Sequence, residues 1–189
     1  MALDHIRLSD GRRLDVRVSG DPGDPPLVFH HGTPGAGTPI RAIERAAHRR
    51  GLRLVTTSRP GYGDSSRNPG RQVVDVVADT AAVLAALDAP ECLIAGWSGG
   101  GPHALACAAR LNGAAGALVI AGVAPYPAPG IEWMAGMGEE NVTEFGAALE
   151  GEEKLRPYLN EVAGHLREAQ VPDIISSLDT LLPAVDRPC

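Results

Sequence analysis

The stretch LIAGWSGGGPHALACAARL, from Leu93 to Leu111, changes character in its middle. It begins with residues that favour β-strands and ends in an alanine-rich segment that favours a helix. Between the two, Gly96 to Gly100 fit the pattern G-x-S-x-G, in which a serine stands on a sharp turn from a strand into a helix. The stretch therefore predicts a strand, a turn and a helix, and it makes Ser98 a candidate nucleophile.

The glycines around Ser98 have a steric reason. A serine that projects above the edge of a sheet must hold a strained backbone, and small residues two positions before and after it let the strand and the helix approach closely. The N–H groups at the start of the following helix point towards a developing oxyanion. The alternative is a tight strand-to-helix turn with no chemical role.

Strands and helices alternate on both sides of this stretch. HIRLS and RLDVRV around Asp10-Gly11 predict a hairpin. Apolar runs that predict buried strands are PLVFH (26–30), LRLVTTS (52–58), CLIAGW (92–97) and GALVIAGVA (116–124). Helices are predicted after Thr38 as N-cap and Pro39 as first helical residue, over 73–87, and over 99–110. This alternation predicts an α/β sandwich, a mostly parallel twisted sheet with flanking helices.

The character of the chain changes at Pro125. The proline-rich segment PYPAPG is followed by helical patterns without further strand signals. These patterns are IEWMAGM (131–137), NVTEFGAALE (141–150), EEKLRPYLNEVAGHLREAQ (152–170) and PDIISSLDTLL (172–182). We therefore expect two parts, an α/β core over 1–124 and a helical cap or lid segment over 125–189.

Composition excludes several functional classes. The 189 residues carry 17 basic and 23 acidic side chains and a net charge of −6, which argues against nucleic acid as a partner. No apolar run is long enough to span a membrane, and the charged N-terminus does not resemble a signal peptide. Cys92 and Cys107 lie in apolar segments and are expected in the core, whereas Cys189 lies in the tail. We expect a cytoplasmic protein with no metal site and no cofactor.

Three ordered motifs carry a resemblance to a known family. They are HGTPG at 31–35, SRPGYGDSS at 58–66 and GWSGGGP at 96–102. Together they resemble the α/β-hydrolase superfamily, in particular its proline iminopeptidase, esterase and haloperoxidase-like branch. The resemblance implies that Ser98 is the nucleophile, that the backbone N–H groups of Thr33 and Gly99 form an oxyanion hole, and that His31 keeps the oxyanion loop in shape. It also implies a helical cap after the sixth strand. Ser58 departs from the family pattern, which commonly has aspartate there.

The base that should activate Ser98 is not found in the sequence. In this superfamily the acid and the histidine follow the serine, on loops after the seventh and eighth strands, and those strands are not recognisable here. His103 lies more than one helical turn past Ser98, and His165 lies in the cap. Asp64 and Glu132 are expected to be solvated or capping. We therefore predict that no histidine nitrogen hydrogen-bonds Ser98, and that the 189-residue chain lacks the C-terminal strands and has little or no activity.

A serine nucleophile points to acyl transfer on a small, mainly apolar ester or amide. The side chains expected to line an acyl pocket are Trp97, Tyr126, Trp133, Met134, Met137 and Phe145; the alternative is that they pack the cap onto the core. An iminopeptidase would need acids for a substrate amine, for which Glu139, Glu140 and Glu144 are candidates, although acids also stabilise a helix N-terminus.

Two other functional classes stay open. One is a pseudoenzyme or small-molecule binding module, and the other is one part of an assembly whose last strands come from another chain. The strand at 116–124 is apolar throughout and has no lysine or proline to guard an open edge. We expect it to lie at the sheet edge and to promote self-association.

Overall fold

A computed structural model describes residues 4–170, and this part of the chain contains one six-stranded sheet. The strands are β1 (His5–Arg7), β2 (Arg13–Ser19), β3 (Pro26–His30), β4 (Arg53–Thr57), β5 (Cys92–Trp97) and β6 (Ala114–Ile120). Their order across the sheet is β1-β2-β4-β3-β5-β6. The four strands β4, β3, β5 and β6 run parallel, while β2 is antiparallel to both β1 and β4. The predicted hairpin and mostly parallel sheet are confirmed.

Five α-helices are found in the described residues. They are α1 (Arg41–His48), α2 (Val76–Ala86), α3 (Gly101–Arg110), α4 (Glu139–Glu150) and α5 (Glu152–Glu168). A short 3-10 turn precedes α2 at Val73–Asp75, and another precedes α3 at Ser98–Gly100.

The core lies on both faces of the sheet, which explains why β3 and β5 consist mainly of apolar residues. On one face, Val28 and Ile94 pack with Val83 of α2 and Cys107 of α3. On the other face, strand residues adjacent to those of the first cluster pack with α1, and this second cluster consists of Phe29, Leu54, Ala95 and Ala47. Successive strand residues point to opposite faces, so a strand covered on both sides has no polar face. The α/β sandwich is confirmed, and Cys92 and Cys107 are buried as predicted.

Three predictions about individual elements are wrong: the start of the first helix, the bounds of the sixth strand and a helix over 131–137. The first helix begins at Arg41 with Ile40 as its N-cap, not after Thr38 and Pro39. The reason is tertiary: Gly37 is tied to β4, its N–H donating to Ser58 Oγ at 2.9 Å and its carbonyl accepting from the Thr56 hydroxyl. This tie holds the segment before the helix as a loop.

The other two corrections concern the sixth strand and the segment over 131–137. β6 covers Ala114–Ile120, not 116–124, because the chain turns at Ala121, whose φ is +48°. The segment 131–137 forms turns and no helix. Its hydrogen bonds are i to i+3 contacts, such as Met137 N–H to the Met134 carbonyl, and Gly136 has a φ of +80° that interrupts helical geometry.

The chain divides into two compact units, one up to Ala128 and the other from Pro129. The sequence placed the division after residue 124, and the cap function of the second part stays a prediction. The helix predicted over 172–182 and the tail cysteine at 189 lie outside the described residues. No helix between residues 4 and 170 is long and apolar enough to cross a membrane.

Candidate active site

Ser98 stands at the junction between β5, which has a parallel neighbour on each side, and the helix α3. It is the first residue of the 3-10 turn, it is half-buried, and its φ is +52°. This left-handed conformation is rare for a residue with a side chain and is found at functional turns. The predicted strand–turn–helix context and unusual backbone of Ser98 are confirmed.

Two glycines allow this turn to pack against the sheet. A Cβ atom on Gly100 would lie 2.1 Å from the carbonyl oxygen of His30 at the end of β3. A Cβ atom on Gly96 would lie 2.4 Å from the carbonyl oxygen of Gly100. Both distances are far below van der Waals contact, so only glycine fits. The spacing two residues before and after Ser98 therefore reflects close approach of strand, turn and neighbouring strand.

The loop after β3 lies directly beside Ser98. β3 and β5 are parallel neighbours, so both loops leave the same edge of the sheet. The ideal Cβ position of Gly99 is 3.5 Å from the backbone nitrogen of Thr33 and 2.7 Å from its hydroxyl oxygen. The ideal Cβ position of Gly32 is 3.4 Å from Ser98 Cβ. The structure thus brings together the three residues that the sequence assigned to nucleophile and oxyanion hole; their chemical roles stay predictions.

A buried arginine, Arg59, holds the loop after β3. Its guanidinium donates to the carbonyl of His31, to that of Gly32 at 3.1 Å and to the Thr33 hydroxyl at 3.2 Å. The Tyr62 ring lies 5.5 Å from the guanidinium carbon. Burial lowers the pKa of Arg59 to about 10, at which the side chain is still charged at neutral pH. In the sequence, Arg59 stands out only as part of the motif at 58–66. Its contacts with the loop were not predicted, because they link segments 26 to 28 residues apart.

His31 is a second support for the same loop. Its Nε2 accepts from the Arg59 backbone N–H at 3.2 Å, so its Nδ1 carries the proton and donates to the Gly32 carbonyl at 2.7 Å. Burial is the main reason why the pKa of His31 falls to about 4, and the Arg59 charge lowers it further. These contacts agree with the loop-holding role that the resemblance implies.

Ser58 anchors the loop in spite of its departure from the family pattern. Its hydroxyl donates to a carboxylate oxygen of Asp15 at 2.7 Å and accepts from the Gly37 N–H at 2.9 Å. Asp15 lies on β2, forty-three residues earlier, so the carboxylate comes from another strand. No local signal in the sequence pairs the two residues, because their contact depends on the strand order.

No histidine ring in residues 4–170 hydrogen-bonds Ser98. His103 is buried on α3, and its Nδ1 bonds the Gly99 carbonyl at 3.0 Å. His30 is buried beneath the site, and its Nε2 lies 3.6 Å from Cys107 Sγ. Burial lowers the pKa of His103 to about 4 and that of His30 to about 3. Both rings are therefore neutral at physiological pH. Asp64, Glu132 and His165 are exposed, as a solvated or capping role would require.

The predicted acyl-pocket residues are distributed over both units. Trp97 and Tyr126 are exposed in the first unit. In the second, the rings of Trp133 and Phe145 pack edge to face with centroids 4.7 Å apart, and Met134 and Met137 are half-buried. Contact with a substrate stays a prediction for all six. Burial raises the pKa of Glu144, and Glu139 and Glu140 lie in the first turn of α4.

The described residues contain no group of three or more metal-ligating side chains.

A family model for the alpha/beta hydrolase fold matches residues 25–150. The sn-1-specific diacylglycerol lipase ABHD11 of Mus musculus is 28% identical over 109 residues, which are 57% of this chain and 36% of the lipase.

Two solved structures are similar over larger parts of the chain. An alpha/beta hydrolase fold protein from Nakamurella multipartita has a TM-score of 0.59 and 27% identity, covering 92% of this chain and 56% of that one. Esterase RhEst1 from Rhodococcus sp. ECU1013 has a TM-score of 0.55 and 27% identity, covering 65% and 46% respectively. The chain therefore spans about a third to somewhat over half the length of these relatives.

Proposed function

The chain belongs to the alpha/beta hydrolase fold family, and on that premise we propose that it is a serine hydrolase that acts by acyl transfer with Ser98 as nucleophile. The observation that carries the proposal is the left-handed backbone of Ser98 on the turn between β5 and α3, packed against the loop that contains Thr33. A turn that served only to connect the two elements would be less strained with glycine at this position.

The proposed chemistry follows from the neighbours of Ser98. The hydroxyl oxygen attacks the acyl carbonyl and forms a tetrahedral intermediate. The N–H groups of Thr33 and Gly99 donate to its oxyanion, and collapse releases the alcohol or amine. The hydroxyl proton must pass to a base, and no side chain in residues 4–170 is hydrogen-bonded to Ser98 for this purpose. Oxyanion donors alone retain about 10³–10⁴-fold catalysis over water, a small part of what a complete triad provides.

We propose small, mainly apolar esters or amides as substrates. A nucleophile that is a serine and not an aspartate favours acyl transfer. The exposed aromatic rings of Trp97 and Tyr126 offer apolar surface on the first unit. Two relatives in the comparison are described as a lipase and an esterase, which supports ester chemistry.

Hydrolysis of p-nitrophenyl acetate and butyrate tests the proposal. We expect slow turnover by the 189-residue chain that disappears in Ser98→Ala and is unchanged in Ser9→Ala, an exposed serine of the first hairpin turn. If esters bind but the rate is the same in Ser98→Ala, the chain is a binding module or pseudoenzyme. If turnover appears only when a second polypeptide supplies an acid and a histidine, the chain is one part of an assembly.

Self-association through β6 is the proposed macromolecular contact. β6 is the last strand of the described sheet and pairs only with β5. Leu118 is 58% exposed, and a hollow of about 520 Å³ between α1 and strands β3, β5 and β6 is lined largely by apolar side chains. An open apolar strand edge recruits another strand, and a second copy of the chain offers an identical one.

Sedimentation velocity over a concentration series tests this contact. We expect association that weakens in Leu118→Lys and is unchanged in Leu105→Lys, which alters an equally exposed leucine on α3. A monomer at all concentrations, or equal effects of both substitutions, would contradict the proposal. The cytoplasmic location stays a prediction; the free buried thiols of Cys92 and Cys107 are compatible with a reducing compartment.

A further inference from the structure

Arg59 is a buried cation without a carboxylate partner. Its side chain is only 2% exposed, and no acidic oxygen within residues 4–170 forms a salt bridge with it. Its Nε is buried without a hydrogen-bond partner. Burying a charge in this way is costly unless its hydrogen bonds are strong. The groups that the buried guanidinium contacts should therefore show what its charge is used for.

The guanidinium is directed at the loop that the proposed mechanism uses. Its acceptors are the carbonyls of His31 and Gly32 and the hydroxyl of Thr33, three consecutive residues. The Gly32 carbonyl accepts a second hydrogen bond, from His31 Nδ1 at 2.7 Å. One carbonyl thus receives two donors, and one of these donors carries a positive charge.

The Gly32 carbonyl belongs to the same peptide group as the Thr33 N–H. In a trans peptide the carbonyl and the N–H point in opposite directions, so donors on the carbonyl leave the N–H free to face away from Arg59. A hydrogen bond to the carbonyl draws electron density from the nitrogen, which makes the N–H a stronger donor. A charged donor has a larger effect than a neutral one.

We propose that Arg59 is a positioning residue that orients and polarises the Gly32–Thr33 peptide, so that the Thr33 N–H stabilises the oxyanion formed at Ser98 more strongly. The inference rests on the proposed function, because the oxyanion belongs to it. The polarisation itself is a property of the resting protein and is measurable without turnover.

A purely structural tie accounts less well for these contacts. Neutral donors could tie the loop to β4 without burying a charge, as the Thr56 hydroxyl does for the Gly37 carbonyl. His31 already holds the Gly32 carbonyl. What Arg59 adds is a positive charge behind one particular peptide, in a site where low polarity makes charges effective.

The sequence provides an internal control for a spectroscopic test. It contains two glycine–threonine peptides, Gly32–Thr33 and Gly37–Thr38. Protein labelled with ¹³C at glycine carbonyls and ¹⁵N at threonine therefore gives two correlated NMR signals. Arg59 hydrogen-bonds the carbonyl of the first peptide, whereas the carbonyl of the second accepts from the Thr56 hydroxyl.

We expect Arg59→Gln to move the Gly32 carbonyl carbon and the Thr33 nitrogen upfield while the Gly37–Thr38 signal stays in place. Arg59→Lys keeps the charge but lacks the planar fork, so it should give a smaller shift in the same direction. Arg17→Gln, an exposed arginine on β2, should change neither signal. If Arg59→Gln does not fold, the lysine variant decides. An unmoved Gly32–Thr33 signal, or equal shifts of both peptides, would overturn the proposal.

Kinetics separates this proposal from the proposed function. An oxyanion donor is worth about 10²–10³ in kcat, and polarisation strengthens a hydrogen bond by about 10–30%. Arg59→Gln should therefore lower the Ser98-dependent kcat by about two- to eightfold with KM unchanged. A Ser98-dependent rate that is absent both in the chain alone and with a second polypeptide that supplies an acid and a histidine contradicts the proposed function, and the NMR comparison still decides the role of Arg59. An unchanged kcat in a chain with measurable turnover contradicts the role of Arg59 alone.

Discussion

β5 and β6 are neighbouring parallel strands with similar apolar sequences, but their surroundings differ. β5 lies between β3 and β6, and its middle residues Ile94 to Gly96 are buried. β6 pairs on one side only within the described residues, and Leu118 and Ile120 are exposed. Similar apolar sequences therefore form a closely packed interior strand in β5 and an open apolar edge in β6.

The candidate site lies where the turn after β5 packs closely against the end of β3. Ser98 follows directly from β5, and its turn contacts the end of β3 at distances that exclude any side chain on Gly100. Within residues 4–170, no strand lies on the far side of β6 to constrain its end in the same way. Preorganisation of a catalytic group requires such a closely packed support, which β5, with a strand on each side, provides for Ser98.

The largest effect is expected when the packed junction after β5 is broken. In Gly100→Ala the new methyl group would meet the His30 carbonyl oxygen at 2.1 Å, a backbone atom that cannot move aside. We expect the free energy of unfolding to fall by about 3 kcal/mol or more. Urea denaturation followed by circular dichroism measures the change.

The matched control is Gly146→Ala in α4, where no atom lies within 4 Å of the added methyl group. Alanine is the better helix former, so this variant should gain about 0.5–1 kcal/mol. Equal destabilisation by both substitutions would show that close packing at Gly100 is not the reason.

The two strands themselves are compared by one substitution in each. Ile94 is 1% exposed and Leu118 is 58% exposed. Ile94→Ala leaves a cavity in the core and should cost about 2–5 kcal/mol. Leu118→Ala removes a side chain that is mostly in water and should cost less than about 1 kcal/mol. The urea midpoints, measured at low protein concentration so that self-association does not contribute, check both values; similar losses would mean that β6 is covered.

Acid should destabilise the fold through the three histidines buried around the site. The pKa of His30 is lowered to about 3 and those of His31 and His103 to about 4, mainly by burial and also by the Arg59 charge. The Arg71 charge adds to this effect for His31 and His103. Between the ordinary value of about 6.5 and these values, the unfolded chain binds protons that the folded chain does not, so stability falls as the pH falls.

Each of these histidines contributes at most about 1.4 kcal/mol per pH unit over this range. Urea midpoints from pH 7 to pH 4 measure the slope, and His103→Leu should make it shallower by removing one titrating group. A stability that is flat between pH 6.5 and pH 4 would show that the rings are accessible to protons in the folded protein.

The smallest effect is expected from relieving the strain at Ser98. Ser98 has a φ of +52°, a conformation that glycine adopts without penalty. Ser98→Gly should raise the free energy of unfolding by about 1 kcal/mol while removing Ser98-dependent activity. Thermal and urea unfolding check the gain.

Asp88 is the control for this prediction, because it has a φ of +50° just after α2 and precedes β5, whereas Ser98 follows the other end of that strand. Asp88→Gly should give a similar gain in stability and leave Ser98-dependent turnover as it is. Loss of stability in Ser98→Gly alone would mean that the serine side chain stabilises the turn, contrary to the strain interpretation.

The sequence by itself determined the strands, the parallel α/β class and the left-handed turn at Ser98, since these follow from local patterns. The periodicity of apolar residues, the apolar runs and the spacing of the glycines each involve residues that are close together in the sequence. The start of α1, the end of β6 and the turns over 131–137 could not be read in this way. The first depends on the tie between Gly37 and β4, and the others on positive φ angles at Ala121 and Gly136.

Only the tertiary structure decided which distant side chains support the site. Asp15 reaches Ser58 because β2 lies beside β4, and Arg59 reaches Gly32 because β4 lies beside β3. No sequence period connects such pairs, because strand order brings them together from positions 27 to 43 residues apart. The nucleophile candidate was visible from a local motif, whereas the charge behind the oxyanion loop depends on long-range packing.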